Sequence, residues 1–298
     1  MKYHGTLRRR GRQARRIIAS LGQPRIRRDG VIIGTFWWDG HPNFGDDLTP
    51  WLLPRYGILP FYRRPGAARL TGVGSLLEFV PTDYTGAIWG TGLMNDAAHP
   101  LPDATALAVR GPLTAERLGL ADEPVYGDPG LLVARHLTRP PGDGRIVVVP
   151  HGHHRAHVGL AEFAARAGAR VVNVHQRAAT AVRQIASARA VVTTSLHGLI
   201  TADAFGIPAV WTTLDPPLGG GDFKFRDYEA AVTPGRTRFR SFAEATSLGD
   251  LLADAWSADA ADVARLCDGL ESALERARRL DLGQQPFPTG LLRVRRHR

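Results

Sequence analysis

Hydrophobic and polar positions follow one another along this chain in blocks that alternate between strand-like and helix-like spacing. The clearest block opens with the β-branched run Val191–Thr194, which is typical of a buried parallel strand. Small apolar residues over about Leu196–Phe205 predict a helix, and Gly206 and Pro208 mark its end. The chain then resumes as a strand at Ala209–Trp211. The block therefore predicts a strand–turn–helix–strand unit.

The turn of this unit is a candidate site for an anion. Ser195 is placed to cap the helix, and His197 falls in its first turn. A helix start offers free backbone N–H groups and the positive end of the helix dipole. His197 adds a side-chain donor and a titratable proton at the same place. The alternative is a structural histidine held by a local hydrogen bond.

The same spacing predicts strands and helices over the rest of the chain. Further strands are expected at Val31–Trp38, Leu70–Gly74, Ala87–Gly90, Ala106–Arg110, Ile146–Val149 and Arg170–Val174. Helices are expected at about Asp46–Tyr56, Pro112–Gly119, Thr180–Ala188 and Asp259–Leu280, with one more ending near Ala167. Strands separated by helices of this length form right-handed crossovers and parallel sheets. We therefore predict an α/β fold with two Rossmann-like, doubly wound domains that face each other across a cleft.

Composition marks the limits of these domains. The run R-P-P-G-D-G at Arg139–Gly144 has the composition of a linker. The expected segments are a basic, flexible N-terminal arm (1–29), a first Rossmann-like domain (30–138), a second (145–250), a bracing helix (258–282) and a basic C-terminal tail (283–298). The Pro- and Gly-rich loop Asp215–Asp222 is expected to be flexible enough to act as a lid.

Chemically useful side chains lie at the predicted carboxyl ends of strands, where doubly wound sheets bind ligands. They are Asp39–Asp47, Gly90–Met94 and Arg110 in the first half, and His151, His175, Ser195 and His197 in the second. Facing domains would bring them into one cleft. Asn43 and Gly45 are typical turn residues. Asp46 and Asp47 lie at a helix start, so helix capping competes with a catalytic role for both.

Charge is distributed unevenly along the 298 residues. Ten of the 38 Lys and Arg residues lie within 1–28 and four within 293–298, which leaves 24 against 28 Asp and Glu in residues 29–292. The body is mildly acidic, so no nucleic-acid partner is expected despite the net charge of +10. The basic arm is expected to hold the protein near an anionic membrane surface, with Ile17, Ile18 and Leu21 as a short apolar stripe. A solvated arm is the alternative.

Cysteine and hydrophobic content bear on the compartment. The single cysteine, Cys267, allows no internal disulfide, and no run of 18 or more apolar residues predicts a membrane span. The N-terminal arginines lack the apolar segment of a secretory signal. We therefore expect a cytoplasmic protein, peripheral on the inner face of the cell membrane where the arm binds lipid.

A histidine-rich stretch, H-G-H-H-R-A-H, begins at His151 directly after a predicted strand. His153 and His157 are four residues apart, the spacing of two metal ligands on one helix face. No glutamate completes an H-E-x-x-H motif, and a cleft-lining or polar-surface role is favoured, so no metal site is predicted. His151, at the strand end, is kept as a candidate substrate contact.

Five short blocks together resemble the polysaccharide pyruvyltransferase family. They are Asn43–Asp47 (N-F-G-D-D), Gly90–Gly92 (G-T-G), Val109–Thr114 (V-R-G-P-L-T), Gly127–Gly130 (G-D-P-G) and Ser195–Gly198 (S-L-H-G) followed by Pro208. Their order and spacing match the family over about residues 31–235, and the combination is more specific than any single block. The resemblance implies a fold similar to the two-domain GT-B glycosyltransferases, with the second domain on the donor side.

The resemblance also implies a reaction. Phosphoenolpyruvate would give its pyruvyl group as a cyclic ketal to two hydroxyls of a sugar, in a polysaccharide or its lipid-linked precursor, and release phosphate. No cofactor is implied beyond this donor substrate. The histidine of the family corresponds to His197 and its arginine to Arg110, for which a structural salt bridge is the alternative. Many members carry arginine where this chain has Ser195.

Because Ser195 replaces that arginine, the donor phosphate is expected to rely on Arg110, on backbone N–H groups, or on later cations. We expect protonated His197 to bind phosphate or to supply the proton of the methylene carbon, and Asp46 or Asp47 to orient or deprotonate a sugar hydroxyl. The candidate catalytic residues are His197, Asp46 and Asp47. The candidate substrate-binding residues are Arg110, Asn43, Gly45, Gly92, His151, Ser195, Lys224 and Arg226.

Two other functions stay open at this point. A glycosyltransferase of the same architecture that uses a nucleotide sugar is expected to hold ribose with a glutamate, for which Glu229 and Glu244 are the candidates after His197. A non-catalytic protein that binds glycans or membranes through its basic arm is the other alternative. The concentration of Asp, Arg and His at predicted strand ends favours an enzyme over such a binding module.

Overall fold

A computed structural model describes the backbone of residues 6–289 and the side chains of residues 11–289. The α-helices are α1 (Thr6–Ser20), α2 (Pro24–Asp29), α3 (Leu48–Leu52), α4 (Pro112–Leu118), α5 (Val158–Arg166), α6 (Ala178–Ala186), α7 (Leu196–Ala204), α8 (Phe223–Val232), α9 (Leu248–Leu252) and α10 (Ala260–Arg279). The strands are β1 (Val31–Phe36), β2 (Ile58–Tyr62), β3 (Leu70–Thr71), β4 (Ala87–Trp89), β5 (Thr105–Val109), β6 (Val125–Tyr126), β7 (Ile146–Val149), β8 (Arg170–Val171), β9 (Ala190–Thr193), β10 (Ala209–Trp211) and β11 (Gln285–Pro286). Short 3-10 helices include Leu53–Tyr56 and Pro129–Arg135.

Two sheets form the framework. The strand order is β11-β1-β3-β4-β5-β6 in the first sheet, where β2 also pairs with β1, and β10-β9-β7-β8 in the second. All of these pairings are parallel except that of β11 with β1. In each sheet the first strand lies inside, with the second strand on one side and the third on the other. This arrangement creates a point where successive connections diverge, and doubly wound sheets bind ligands there. The predicted α/β class with parallel sheets is confirmed, and both strand orders are consistent with Rossmann-like sheets.

Apolar residues fill the space around and between the two sheets. Ile146–Val149 and Ala209–Trp211 are buried at every position, as expected for parallel strands covered on both faces. One cluster of buried side chains extends from Trp89 of the first sheet to Val191 of the second. The two sheets therefore share buried contacts, which fixes their carboxyl ends relative to each other.

The central unit of the second sheet forms close to its predicted bounds. α7 begins at Leu196, and Ser195 has the extended backbone of an N-cap, although its side chain makes no capping hydrogen bond. The helix ends before Gly206, whose φ of +63° is strain-free for glycine. His197 lies in the first turn, as predicted.

The long helix α10 returns the chain to the first sheet. Asp259 caps it by accepting the backbone N–H of Ala261 at 2.8 Å. Leu270, on the buried face, accepts a hydrogen bond from Trp89 Nε1 through its carbonyl at 2.9 Å. The helix therefore packs on the first sheet along its apolar face.

Both chain ends differ from the prediction. The described part of the N-terminal arm is helical and packs on the first sheet, because Gln13 Nε2 donates to the Pro60 carbonyl at 3.1 Å and Ile26 is fully buried. At the other end, Gln285–Pro286 pairs antiparallel with Val31 and Ile32, so part of the predicted tail is a strand. Lys2, Arg293, Arg295, Arg296, Arg298 and the side chains of Arg8, Arg9 and Arg10 lie outside the described residues.

Two of the N-terminal arginines bind the loop that follows β1. Arg12 Nη2 lies 2.9 Å from Asp39 Oδ2, and Arg16 Nη2 lies 2.6 Å from Asp47 Oδ1. These two arginines therefore hold α1 against the loop, in addition to contributing positive charge to the surface. Over residues 6–289, no helix combines the length and apolar character needed to cross a bilayer.

Candidate active site

Loops from the carboxyl ends of both sheets meet at one place. The loop after β1 reaches the second sheet, where the Phe44 N–H donates to the Val174 carbonyl at 2.9 Å. Gly45 lies against the ring of His197, and a Cβ on residue 45 would come within 2.1 Å of Nδ1. Glycine is therefore required at this position by close packing. The structure thus brings the strand ends of the two halves together.

His197 is buried at this meeting point, with 8% of its surface exposed. Its ring packs edge-on against Phe44, and Nε2 has no hydrogen-bond partner among the described residues. Burial, together with the charges of Lys224 and Arg110, lowers the pKa of His197 to about 3. These effects favour the neutral ring when no anion is bound, and a protonated His197 in the presence of the donor stays a prediction.

A carboxylate that the candidate set omits faces this histidine. Asp128 follows β6 and is completely buried, and its Oδ2 lies 3.9 Å from His197 Nε2. Its Oδ1 accepts the Gly130 N–H at 2.7 Å and so caps the turn Pro129–Arg135. Burial raises the pKa of Asp128 to about 7, an effect that the Gly130 amide and Arg110 oppose.

Arg110 follows β5 and is fully buried beside the site. Its Nε donates to Asp227 Oδ2 at 2.8 Å and its Nη1 to Ser75 Oγ at 2.7 Å. Gly92 packs against the guanidinium, since a Cβ there would lie 2.4 Å from Cζ. The structural salt bridge is therefore present, while the charge of Arg110 still lowers the pKa of His197. A direct contact with substrate stays a prediction.

Of the two later cations, only Lys224 is brought to the site. It lies in the first turn of α8 and is 8% exposed, and burial is the main reason that its pKa falls to about 8. Arg226 points away, because residues two apart on a helix differ by about 200° in direction. It pairs with Asp222 at 3.0 Å and Asp96 at 3.4 Å, and its side chain is 47% exposed.

Asp46 is half-buried in the loop after β1. Burial and the neighbouring Asp47 raise its pKa to about 7, while Lys224 and Asn43 oppose the rise. A carboxyl with this pKa exchanges protons readily near neutral pH, as a general acid or base must. Asn43 shapes the same loop, because its Oδ1 accepts the Gly45 N–H at 3.1 Å.

Asp47 lies at the start of a helix, as predicted, but its side chain binds another element. It stands at the N-cap position of α3, but its side chain makes no capping hydrogen bond. Its carboxylate instead binds Arg16, and this ion pair ties α1 to the loop. The structure thus accounts for Asp47 without a catalytic role, and that role stays an untested prediction.

The histidine-rich stretch forms a turn before α5. His157 is the N-cap residue, and its Nδ1 accepts a backbone N–H from the first turn, so it shares no helix face with His153. His151 is half-buried, and burial followed by Lys224 lowers its pKa to about 3. No group of three or more His, Cys, Asp or Glu among residues 11–289 is arranged to hold a metal ion.

The predicted lid is held at two points. The Pro216 carbonyl lies 3.0 Å from His154 Nε2, and Gly220 packs so closely on Met94 that a Cβ would lie 2.2 Å from the carbonyl oxygen. The loop Asp215–Asp222 therefore spans from the histidine-rich turn to the loop after β4.

The structure gathers most of the candidate residues. Those that lie in or directly against this cluster are Asn43, Gly45, Asp46, Gly92, Arg110, His151, Ser195, His197 and Lys224. Arg226 lies on the surface, and Asp47 is bound to α1. Asp128 was missed even though the block G-D-P-G contains it, and that block was the signal available in the sequence.

Comparison with known proteins shows similarity to one family. Residues 85–216 match the family model described as Polysaccharide pyruvyl transferase. The "Succinoglycan biosynthesis protein ExoV" of Rhizobium meliloti (strain 1021) is 33% identical over 204 residues. That alignment covers 65% of this chain, and the chain spans 62% of the length of the relative. The family match includes Arg110, Asp128 and His197, and the resemblance noted from the sequence is confirmed.

Proposed function

We propose that the protein transfers the pyruvyl group of phosphoenolpyruvate to two hydroxyls of a sugar, because residues 85–216 match the polysaccharide pyruvyl transferase family. The acceptor is a polysaccharide or its lipid-linked precursor, the product is a cyclic ketal, and phosphate is released. One observation carries the proposal: two buried cations, Lys224 and Arg110, lie close enough to His197 at a helix start to lower its pKa.

The site offers what a donor with a phosphate and a carboxylate needs. The start of α7 presents backbone N–H groups that have no partner within the helix. Lys224 is buried beside His197, and its ammonium group carries three N–H donors that suit a phosphate or carboxylate. A bound dianion would offset the charges of Lys224 and Arg110 and thereby raise the pKa of His197. The cluster therefore suits an anionic donor.

Ketal formation requires one proton to be delivered and two to be removed. A proton on the methylene carbon makes the adjacent carbon electrophilic, the first hydroxyl attacks it, and the bond to the phosphate oxygen breaks. The second hydroxyl then closes the ring. The two hydroxyls lose two protons in total. One of them restores the acid that protonated the methylene carbon, and the other leaves on the released phosphate. We assign removal of hydroxyl protons to Asp46, whose pKa of about 7 suits a base, and phosphate binding to His197 and Lys224.

The nucleotide-sugar alternative lacks its expected glutamate. Glu229 is 3% exposed, and its carboxylate accepts hydrogen bonds from Trp211 Nε1 at 3.0 Å, Thr237 Oγ1 at 2.7 Å and Arg238 Nε at 3.0 Å. These bonds occupy the group that would hold ribose. Glu244 is exposed and lies outside the cluster of site residues. Both facts favour pyruvyl transfer over a glycosyltransferase.

We also propose that the two sheets correspond to two facing, GT-B-like domains, with His197 and Lys224 on the donor side. The enzyme would work on the cytoplasmic side of the cell membrane, against which α1 lies. Ile18 and Leu21 are 67% and 41% exposed, whereas Ile17 packs inward, so the apolar stripe consists of two residues rather than three. Such a helix binds anionic lipid through exposed apolar and basic side chains together.

Ligand-induced thermal stabilisation tests the donor class. A ligand that binds only the folded state at about 100 times its Kd adds roughly 2.7 kcal/mol to the free energy of unfolding. We expect phosphoenolpyruvate to raise the Tm of the wild type and to raise that of His197→Ala less. A shift with nucleotide sugars and none with phosphoenolpyruvate would contradict the proposal.

A further inference from the structure

Two buried polar atoms without partners face each other across the two sheets. Oδ2 of Asp128 and Nε2 of His197 are 3.9 Å apart, and neither has a hydrogen-bond partner among the described residues. A buried polar group left unpaired loses its hydrogen bonds to water without replacement, which destabilises the folded state. A movement of roughly 1 Å would bring the two atoms within hydrogen-bond distance. The most economical explanation of both unpaired atoms is that they are partners of each other.

The backbone holds the pair in place. The Gly130 N–H fixes the other oxygen of Asp128, and the turn Pro129–Arg135 lies under α7, where Gly130 approaches Ile200. On its opposite edge the ring of His197 meets Gly45. Both residues are therefore positioned by packing that does not depend on a ligand.

We propose that Asp128 is a positioning residue for His197, whose ring nitrogen Nε2 shares one proton with the buried carboxyl of Asp128. The effect of Asp128 on catalysis rests on the proposed function, whereas the pairing of Asp128 with His197 is independent of it. While the proton is on Oδ2, it is donated to Nε2, and the hydrogen of the neutral ring is on Nδ1, beside Gly45. When the carboxyl is ionised, Nε2 carries the hydrogen and Nδ1 is an acceptor.

Charged groups around the pair decide where the proton resides. The Gly130 amide, Arg110 and the Gly74 amide lower the pKa of Asp128 and Asp227 raises it, but burial dominates and raises the value to about 7. The Tyr228 hydroxyl also lies within electrostatic range of this carboxyl. Lys224 and Arg110 both lower the pKa of His197. Below about pH 7 the shared proton of the ligand-free protein is therefore on Asp128 rather than on His197. Binding of a dianion would move it from Oδ2 to Nε2, leaving a carboxylate and an imidazolium with no net uptake of a proton.

The variant Asp128→Asn separates pairing from capping. Asparagine keeps the oxygen that accepts the Gly130 N–H, and it replaces Oδ2 by an amide that cannot ionise. Long-range proton–nitrogen NMR of the full-length protein reads the tautomer of His197 without substrate, with its signals assigned from His197→Gln. We expect the wild-type ring to change from the Nδ1–H to the Nε2–H form as the pH rises through about 7, and we expect no such change in Asp128→Asn.

If the NMR signals of His197 change with pH in the same way in the wild type and in Asp128→Asn, the proposal is overturned. If Asp128→Asn does not fold, the wild-type titration decides alone, because a ring that keeps one tautomer throughout is not coupled to a titrating carboxyl. Inorganic phosphate is the binding probe: in the wild type below pH 7 it should convert the ring to imidazolium, and a ring that stays neutral at saturating phosphate would contradict the proton transfer.

Turnover supplies the catalytic readout. We expect kcat with phosphoenolpyruvate to fall roughly 10- to 100-fold in Asp128→Asn, as when an outer partner of a metal-binding histidine is removed. On a His197→Gln background the same change should cost nothing further, because Asp128 acts through that ring. An equal loss on both backgrounds would overturn the positioning role. A wild type with the NMR transition but no turnover would refute the proposed function and leave the pair intact.

Discussion

Lys224 and Arg226 lie two residues apart on α8, and their side chains lie on different sides of the helix. Lys224 is 8% exposed within the cluster around His197, whereas the side chain of Arg226 is 47% exposed and paired with surface acids. The two cations therefore form a matched pair of test positions on one helix. Only the buried one lies beside His197, where we propose that the donor binds.

We expect Lys224→Met to raise KM for phosphoenolpyruvate by roughly 10- to 150-fold, the equivalent of about 1.5–3 kcal/mol for hydrogen bonds to a charged group. Arg226→Met should change KM by less than about twofold, because exposed ion pairs contribute little. Since the pKa of Lys224 is about 8, wild-type KM should rise as the pH increases through 8, where the ammonium loses its proton. Initial-rate kinetics across this range tests both points, and similar KM values in the two variants would refute the assignment.

Asp46 and its neighbour Asp47 provide a second comparison. If Asp46 removes hydroxyl protons, Asp46→Asn should lower kcat by about 10²- to 10⁴-fold. The wild-type kcat/KM should fall as the pH drops below about 7, since the free carboxyl becomes protonated there, and this decline should be absent from Asp46→Asn. Asp47→Asn should keep nearly full activity, because its carboxylate binds Arg16. A larger loss in Asp47→Asn than in Asp46→Asn would exchange the two roles.

A buried ionic network stabilises the second sheet. Arg238 is fully buried and binds both Asp203 and Glu229. Removing one member of such a network leaves uncompensated buried charge, so Arg238→Met should lower the free energy of unfolding by about 3–5 kcal/mol. The control Arg240→Met breaks a partly exposed pair with Asp254 and should cost no more than about 1 kcal/mol. Denaturant unfolding measures both, and equal losses would show that Glu229 is not bound as described.

Two equally exposed apolar residues allow a controlled test of membrane association. Ile18 on α1 and Val158 on α5 are 67% and 68% exposed, so a charge at either site should leave the fold intact. Ile18→Glu should abolish sedimentation with phosphatidylglycerol vesicles, because it removes apolar contact and repels anionic lipid. Val158→Glu should sediment like the wild type. Binding that Ile18→Glu leaves unchanged would show that α1 does not contact the membrane.

Local signals were enough to predict the framework of this fold. A β-branched run predicted Ile146–Val149 to the residue, and the apolar residues after Pro208 predicted Ala209–Trp211. Pro112 and Gly119 bounded a helix at its permitted positions. β2 was missed because Pro60 interrupts its pattern. Within the described sheet β2 pairs only with β1, and an edge strand tolerates proline.

The features of the site that could not be predicted from the sequence depend on contacts between residues far apart along the chain. Arg110 and Asp227 are 117 residues apart, and only the folded chain shows that they pair. The lowered pKa of His197 likewise depends on burial and on Lys224, which a sequence pattern does not report. Asp128 is part of the G-D-P-G block, so the sequence contained it. Its position next to His197 could not be predicted, because it depends on the packing of the two sheets against each other.

The central claim is pyruvyl transfer at the cluster of His197, Lys224 and Asp46. The most direct measurement incubates the protein with phosphoenolpyruvate labelled with carbon-13 in its methylene group, together with exopolysaccharide from the source organism whose ketals have been removed by mild acid. The account predicts a labelled ketal methyl group in the polymer, one phosphate released per ketal, and loss of both in His197→Gln. Phosphate release without label in the polymer, or equal transfer by His197→Gln, would contradict it.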